Sequence, residues 1–352
     1  MSSDAGLDDP VLRAGARASH PEVPPEAAGL EVCHYFEFSG VVTGGIRASV
    51  DHQRRMMELA GVEYTGEPRL DVDVLHLNLM GPRSIVWAER ARRRGTPVVI
   101  HTHATAEDFR ESFRFSNALA RPLRPYLEVA YGLGDVLVCP SEYNRRLIET
   151  YADAETVVVT NGVDAAKLEG FASLREEYLR RWDLSPPVVF QVGHVIKRKG
   201  LATFVETARR MPGVDFAWVG PLDFPLKGRP TRALIEASPD NCTFTGYVDD
   251  VRAAYAVGDV FFCPTREENE GIALLEAMTA GKPVLVRDIE AFSWLEDGVD
   301  CLKATRRFDA AIDRLCDPDL RERLGANAAR RAESFALDRV AGRLASVYAA
   351  VA

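Results

Sequence analysis

Residues 265–284 read TREENEGIALLEAMTAGKPV, and they decide both the fold and the chemistry expected of the chain. The apolar run DVFFC (259–263) enters them through Pro264. A short acidic loop follows, then a helix starting near Gly271 with Ile272, Leu275 and Met278 or Thr279 on its apolar face. Gly281 ends the helix and Pro283 opens the next run, PVLVR (283–287). The free N–H groups of Glu270, Gly271 and Ile272 at such a helix start form an anion site. Gly271 lets the main chain approach a phosphate closely. Glu268 and Glu276 flank that site with seven residues between them. Each carboxylate can accept hydrogen bonds from sugar hydroxyls. A lone acidic residue here would do no more than offset the helix dipole; the strand, loop, helix and Gly-Lys-Pro exit together carry more.

Outward from this unit, short apolar runs alternate with helical patterns, which predicts α/β architecture with parallel sheets. The first half offers LEVCHYF (30–36), VDVLHL (72–77), PVVIH (97–101), DVLVC (135–139) and TVVVT (156–160). The second restarts with VVFQVG (188–193), VDFAWVG (214–220), CTFTGY (242–247), then DVFFC and PVLVR. A charged stretch, 165–186, ends in Ser185-Pro186-Pro187. Two tandem Rossmann-like, doubly wound domains facing a cleft are expected. They span 29–164 and 187–335, with 165–186 as linker. Residues 336–352 form a C-terminal helix placed to return to the first domain. Residues 1–28, rich in Pro, Ala and charge, are expected to be a disordered tail. In doubly wound sheets, ligands bind at the C-terminal strand ends.

Composition narrows the function. At 352 residues, 47% hydrophobic and 27% charged, the chain resembles a soluble globular protein. It has no apolar run of about 18 residues and no signal-peptide core in its first thirty, so a cytoplasmic location is expected. A net charge of −9 argues against nucleic acid as a partner. The six cysteines are widely spaced without a CxxC pair, and read as free thiols rather than as zinc ligands or disulfides.

Three further segments carry chemistry. In VGHVIKRKGLATFVETARRMP (192–212), Leu201, Phe204, Val205, Ala208 and Met211 form a helical stripe. Lys197, Arg198 and Lys199 sit at the positive end of that helix, a placement that costs energy unless an anion binds there. In SGVVTGGIRASVDHQ (39–53), Gly44-Gly45 lies between a strand and a helix, where backbone amides can face a phosphate or a reacting sugar. In VVIHTHATAEDFRESFRFSN (98–117), His101 falls at a strand end and His103 just beyond it. Two histidines at this spacing also fit a metal site, but no third ligand follows at a familiar spacing. No Asp-x-Asp pair stands at a strand end, and no metal or other cofactor is expected.

Two carboxylates at this spacing, followed by Ala-Met and Gly-x-Pro-Val, resemble the hallmark of glycosyltransferase family four, whose fold is GT-B. The resemblance covers nearly the whole chain beyond the tail. It implies that Glu268 contacts the donor sugar and Glu276 the donor ribose. It assigns Gly44-Gly45 to the family's N-terminal glycine loop, and a histidine at the strand end, His101 or else His103, to the reaction centre. The family carries an Arg after Val-Gly193 and a Lys before the next helix. Lys199 matches the second. His194 replaces the first, which leaves Arg198 to supply a guanidinium. FTGYVDD (244–250) resembles the loop that contacts the base, through Gly246, Tyr247 and Val248. TVVVTNGVDAAKL (156–168) resembles the domain seam. The resemblance further implies retention of anomeric configuration.

The donor is then a nucleotide-sugar, with a UDP-sugar and UDP-glucose favoured. HTHATAEDFRESFRFSN, IKRKG and ENEGI look closest to the bacterial branch that glucosylates diacylglycerol. Residues 81–146 hold 11 Arg against 7 acids, a basic patch suited to anionic lipid headgroups at the inner face of the membrane. RPLRPYLEV (121–129) and the tail are acceptor-side candidates. A polyprenyl-linked or soluble glycan acceptor is the alternative, and a non-catalytic nucleotide-sugar-binding protein is the alternative from another class.

Overall fold

The computed structural model describes residues 22–112, 115–222 and 229–352. Two six-stranded, all-parallel sheets form two doubly wound domains, as the alternating pattern predicts. The first contains β1 (Glu31–Tyr35), β2 (Glu63–Thr65), β3 (Val74–Leu77), β4 (Val98–His101), β5 (Val136–Cys139) and β6 (Glu155–Val158). Their spatial order is β2-β1-β3-β4-β5-β6. The second contains β7 (Val188–Val192), β8 (Asp215–Val219), β9 (Cys242–Gly246), β10 (Val260–Cys263), β11 (Val284–Arg287) and β12 (Leu302–Ala304). Their order is β12-β11-β10-β7-β8-β9.

Both sheets are covered on both faces, which is why their inner strands read as unbroken apolar runs. Alternate residues serve opposite layers. Val188 and Phe190 enter one core of the second domain, and Val189 enters the other. The stripe Leu201, Phe204, Val205, Ala208 and Met211 is buried, as its spacing predicts.

The chain crosses between domains twice. Val163 pairs with Ala336, and the helix Leu337–Val351 then packs on the helix Gly45–Ala60 of the first domain. Its Leu337, Val340, Leu344 and Tyr348 are buried there.

The stretch 165–186 is folded rather than a free tether. Leu168 and Leu184 are buried in the second domain's core, with Phe171, Tyr178 and Trp182 packed against it. Of the expected tail, residues 1–21 lie outside the described residues. Val23 and the fully buried Ala27 belong to the first domain's core, so the folded part starts before residue 29. Five cysteines are buried, Cys316 is exposed, and all are free thiols.

Candidate active site

Each sheet reverses its winding at one place, between β1 and β3 in the first and between β7 and β10 in the second. Loops leave a doubly wound sheet in opposite directions there, which opens a crevice at the C-terminal strand ends. The loops after β1, β7 and β10, which carry Gly44-Gly45, Lys199 and Glu268, emerge there.

In the second domain, β7 ends at Val192 and the chain reaches the helix Leu201–Arg210 through 193–200. β10 ends at Cys263 and reaches the helix Ile272–Thr279 through 264–271. The two loops lie side by side, and Lys199 Nζ donates to Glu268 Oε2. Glu268 is only 8% exposed. Burial raises its pKa, but the charges of Lys199 and Arg198 outweigh burial and hold the carboxyl below its ordinary value. Glu268 is therefore a buried, ionised acceptor beside a cation. Gly271 caps the following helix at φ 99°. The first N–H groups of that helix have no intrahelical acceptor and lie beside the Lys199–Glu268 pair.

Glu276 lies one turn into this helix and accepts from Tyr255 Oη at 2.5 Å. Burial pushes its carboxyl up. Tyr255 thus joins the candidate site; its only signal in the sequence is a tyrosine in a helix that is apolar beyond Arg252. Tyr255→Phe is expected to raise the donor KM roughly 3- to 10-fold with kcat nearly unchanged, the loss of one oriented hydrogen bond. Initial-rate kinetics against donor concentration check this.

Gly193 and Gly246, at the ends of β7 and β9, are joined through β8. Gly193 N donates to Val219 O at 2.9 Å, and Gly220 N to Gly246 O at 3.0 Å. Tyr247 beyond them is 71% exposed, and Val248 packs on the core. Gly220 was not singled out in the sequence, although VDFAWVG repeats the Val-Gly ending of VVFQVG.

Arg198 is not placed to serve a diphosphate. Its guanidinium pairs with Asp108 of the first domain at 2.8 Å. It also donates to Ser112 Oγ at 3.1 Å and Glu267 O at 2.7 Å. It ties the domains together, beside a second tie from Arg266 to Glu111 at 3.0 Å.

The Glu270 side chain likewise crosses the seam. Its carboxylate accepts from Thr160 Oγ1, from Asn161 N at 3.0 Å and from Asn161 Nδ2 at 2.8 Å. Only its main-chain N–H remains for an anion. Burial raises its pKa to about 7 against those hydrogen bonds, and the Glu268 charge adds to the rise. The folded value lies above the ordinary 4.5. The resulting stability is full below about pH 4.5 and is lost as pH rises through about 7. The wild-type melting temperature is therefore expected to fall relative to Glu270→Gln across that window and then level off. Scanning fluorimetry of both proteins checks it, and a constant gap contradicts it.

In the first domain, His101 and His103 stack with ring centroids 4.3 Å apart. Burial pushes His101 down to about 3 and His103 well below its ordinary value, so both rings are neutral at pH 7. His34 and His76 extend the cluster. No group of metal-ligating side chains suited to an ion occurs among the described residues. Gly44-Gly45 opens the helix Gly45–Ala60 and faces the other domain, where a Cβ on Gly44 would lie 2.7 Å from His194 Nε2. His194 thus stands against the glycine loop.

Residues 34–167 match Glycosyltransferase Family 4, and residues 186–317 match Glycosyl transferases group 1. The chain is 34% identical to the processive diacylglycerol alpha-glucosyltransferase of Acholeplasma laidlawii over 272 residues, covering 75% of this chain and 81% of that protein. It is 31% identical to a phosphatidyl-myo-inositol mannosyltransferase of Mycobacterium tuberculosis over 302 residues, covering 80% and 75%. Anabaena HepE, solved in complex with UDP-glucose, superposes with a TM-score of 0.71 at 15% identity, over 90% of this chain and 99% of that one. Sucrose-phosphate synthase from Thermosynechococcus elongatus gives 0.74 at 16% identity, over 91% and 98%. Two facing doubly wound domains with this pattern of matches make the chain a member of glycosyltransferase family four, with the GT-B fold.

Proposed function

We propose that the chain is a retaining, metal-independent hexosyltransferase that moves glucose from UDP-glucose to a hydroxyl of a membrane lipid. The Lys199–Glu268 pair beside the N-terminus of the helix Ile272–Thr279 carries this reading. Departure of the diphosphate builds negative charge where Lys199 and the amides of 270–272 converge. Such preorganised donors stabilise a leaving group electrostatically. Glu268 orients the sugar hydroxyls, Glu276 the ribose, and His101 or His103 closes the site from the first domain. Gly193 and Gly246-Tyr247-Val248 border the base and diphosphate. The leaving phosphate accepts the acceptor proton on the face it vacates, which retains configuration. Lys199 and the helix amides supply the positive charge, so chelators leave the rate unchanged.

The lipid acceptor is supported by the names of both relatives and by one surface. On the helix Ser116–Tyr131, exposed Leu119, Pro122, Tyr126 and Val129 follow a 3-4-3 spacing, which places them on one face. Val129 is 68% exposed, and Phe115 just before the helix is 65% exposed. Arg121 lies beside this stripe, a combination suited to an anionic bilayer surface. No helix among the described residues is long and apolar enough to cross a membrane. The test is incubation with labelled UDP-glucose and diacylglycerol vesicles containing anionic lipid. Labelled glycolipid of α configuration, formed in the presence of EDTA, supports the reading. Transfer to none of the lipids, with transfer to a soluble or polyprenyl-linked acceptor, overturns the lipid assignment.

A further inference from the structure

A buried hydrogen-bond chain joins the domain seam at Glu270 to the imidazole of His103. From the seam inward, Asn161 Nδ2 donates to Glu270 Oε2 at 2.8 Å, and Ser49 Oγ donates to Asn161 Oδ1. Gln53 Nε2 donates to Ser49 Oγ at 3.1 Å. Gln53 Oε1 lies 2.9 Å from His34 Nε2. Asn78 lies between the two rings, with Nδ2 2.8 Å from His34 Nε2 and Oδ1 3.0 Å from His103 Nε2. No member is more than 8% exposed, so each link is formed without competing water.

The partners fix the protons. Arg54 Nε donates to His34 Nδ1 at 3.4 Å, so the His34 proton sits on Nε2. There it is shared between Gln53 Oε1 and the carboxamide of Asn78. A half-turn exchanges the two ends of a carboxamide, and the network decides between them. A proton on His34 Nε2 cannot face the Asn78 Nδ2 placed beside it, so the carboxamide takes the opposite half-turn, with its oxygen toward His34 and its NH2 toward His103 Nε2. His103 then accepts at Nε2 and carries its proton on Nδ1. From His34 to Glu270 every donor points toward the seam, an arrangement in which each bond polarises the next.

The second domain reaches His103 by another route as well, since Asn269 Nδ2 donates to His103 O at 3.1 Å. His101 stacks on His103, with ring centroids 4.3 Å apart. The orientation of one ring is thus passed to the other.

We propose that Glu270 is a positioning residue: docking of the second domain on Asn161 is relayed through Ser49, Gln53, His34 and Asn78 to fix the His103 ring and, through it, His101. This rests on the reading of the cleft as a sugar-transfer site. The relay itself is read without turnover, by NMR of the full chain labelled with 15N-histidine, with His103 assigned from His103→Gln. Wild-type His103 is expected as the Nδ1–H tautomer. Glu270→Ala, and Ser49→Ala, which leaves the Glu270–Asn161 contact intact, are expected to convert it to a mixture. Glu270→Gln, which can still accept from Asn161, is expected to retain it.

In transfer assays, Glu270→Ala and Asn78→Ala should each lower kcat about tenfold, the scale of one buried hydrogen bond. Glu270→Gln should stay within about twofold of wild type. The Glu270→Ala/Asn78→Ala double variant should lose no more than the worse single, because both break one chain. An unchanged His103 tautomer in well-folded Glu270→Ala and Ser49→Ala overturns the relay, as do losses that multiply. Absence of wild-type turnover would overturn the transfer reading alone and leave the NMR result to decide the relay.

Discussion

Lys199→Ala is expected to lower kcat/KM for the nucleotide sugar by about a hundred- to a thousand-fold, the scale found when one preorganised donor to a developing charge is removed. Two effects combine. The leaving diphosphate loses the cation placed against it at the start of the helix Leu201–Arg210. Glu268 loses its direct partner in a buried position and keeps only the weaker pull of Arg198, so the carboxylate more readily takes up a proton or draws in water. A protonated Glu268 no longer orients sugar hydroxyls as a double acceptor. The variant Lys199→Ala/Glu268→Gln separates these effects, since it relieves the buried charge without restoring the cation. Its melting temperature should recover while its transfer rate stays low. Steady-state kinetics with thermal melts of the three proteins make the measurement. Full activity in Lys199→Ala would place the leaving group elsewhere.

Gly200→Ala is expected to destabilise the fold by about 3 kcal/mol, the sum of a left-handed backbone and an unrelieved contact. Gly200 sits at φ 86°, and a Cβ there would lie 2.3 Å from Pro264 O. Pro264 is main chain of the loop that carries Glu268, so neither side can yield by a rotamer change. The clash pries apart the two loops whose contact forms the Lys199–Glu268 pair. Loss of donor binding should therefore accompany the lower denaturation midpoint in urea. Gly213→Ala is the control: it has an ordinary φ and open space around its Cβ, and should leave both properties unchanged.

Local pattern carried much of the fold. Strands buried on both faces must be apolar throughout, so DVLVC, VVFQV and DVFFC stand out in one dimension. The edge strands β2 and β12 do not, because each is only three residues long, and EYT is largely exposed. The stretch 165–186 hides its contacts among charges. Leu168, Tyr178, Trp182 and Leu184 dock on the second domain, but Arg and Glu between them mask the spacing.

The site shows the same limit. The positions of Lys199 and Glu268 are legible because each follows a strand and precedes a helix start, where main-chain geometry fixes the direction. The side chains of Arg198 and Glu270 turn elsewhere, because neighbours in sequence point to different partners; of Glu270 only the main-chain N–H belongs to the expected anion site. Their side chains are committed to Asp108 and Asn161, some ninety and one hundred and nine residues away. A contact between domains leaves no periodicity to read. Asn78, Gln53 and His34 were silent for that reason also; each is a polar residue inside an apolar layer, and its purpose appears only with its neighbours.

The Glu268–Lys199 cleft is proposed to transfer a hexose from a nucleotide-sugar. The direct measurement is radiolabel carried from UDP-glucose into lipid by the purified full chain, alongside Glu268→Ala of matched melting temperature. Labelled glycolipid is expected from the wild type and at least a hundredfold less from the variant, on the order expected for loss of a transition-state contact. Equal transfer by both proteins, or no transfer from any UDP-hexose by the folded wild type, would contradict it.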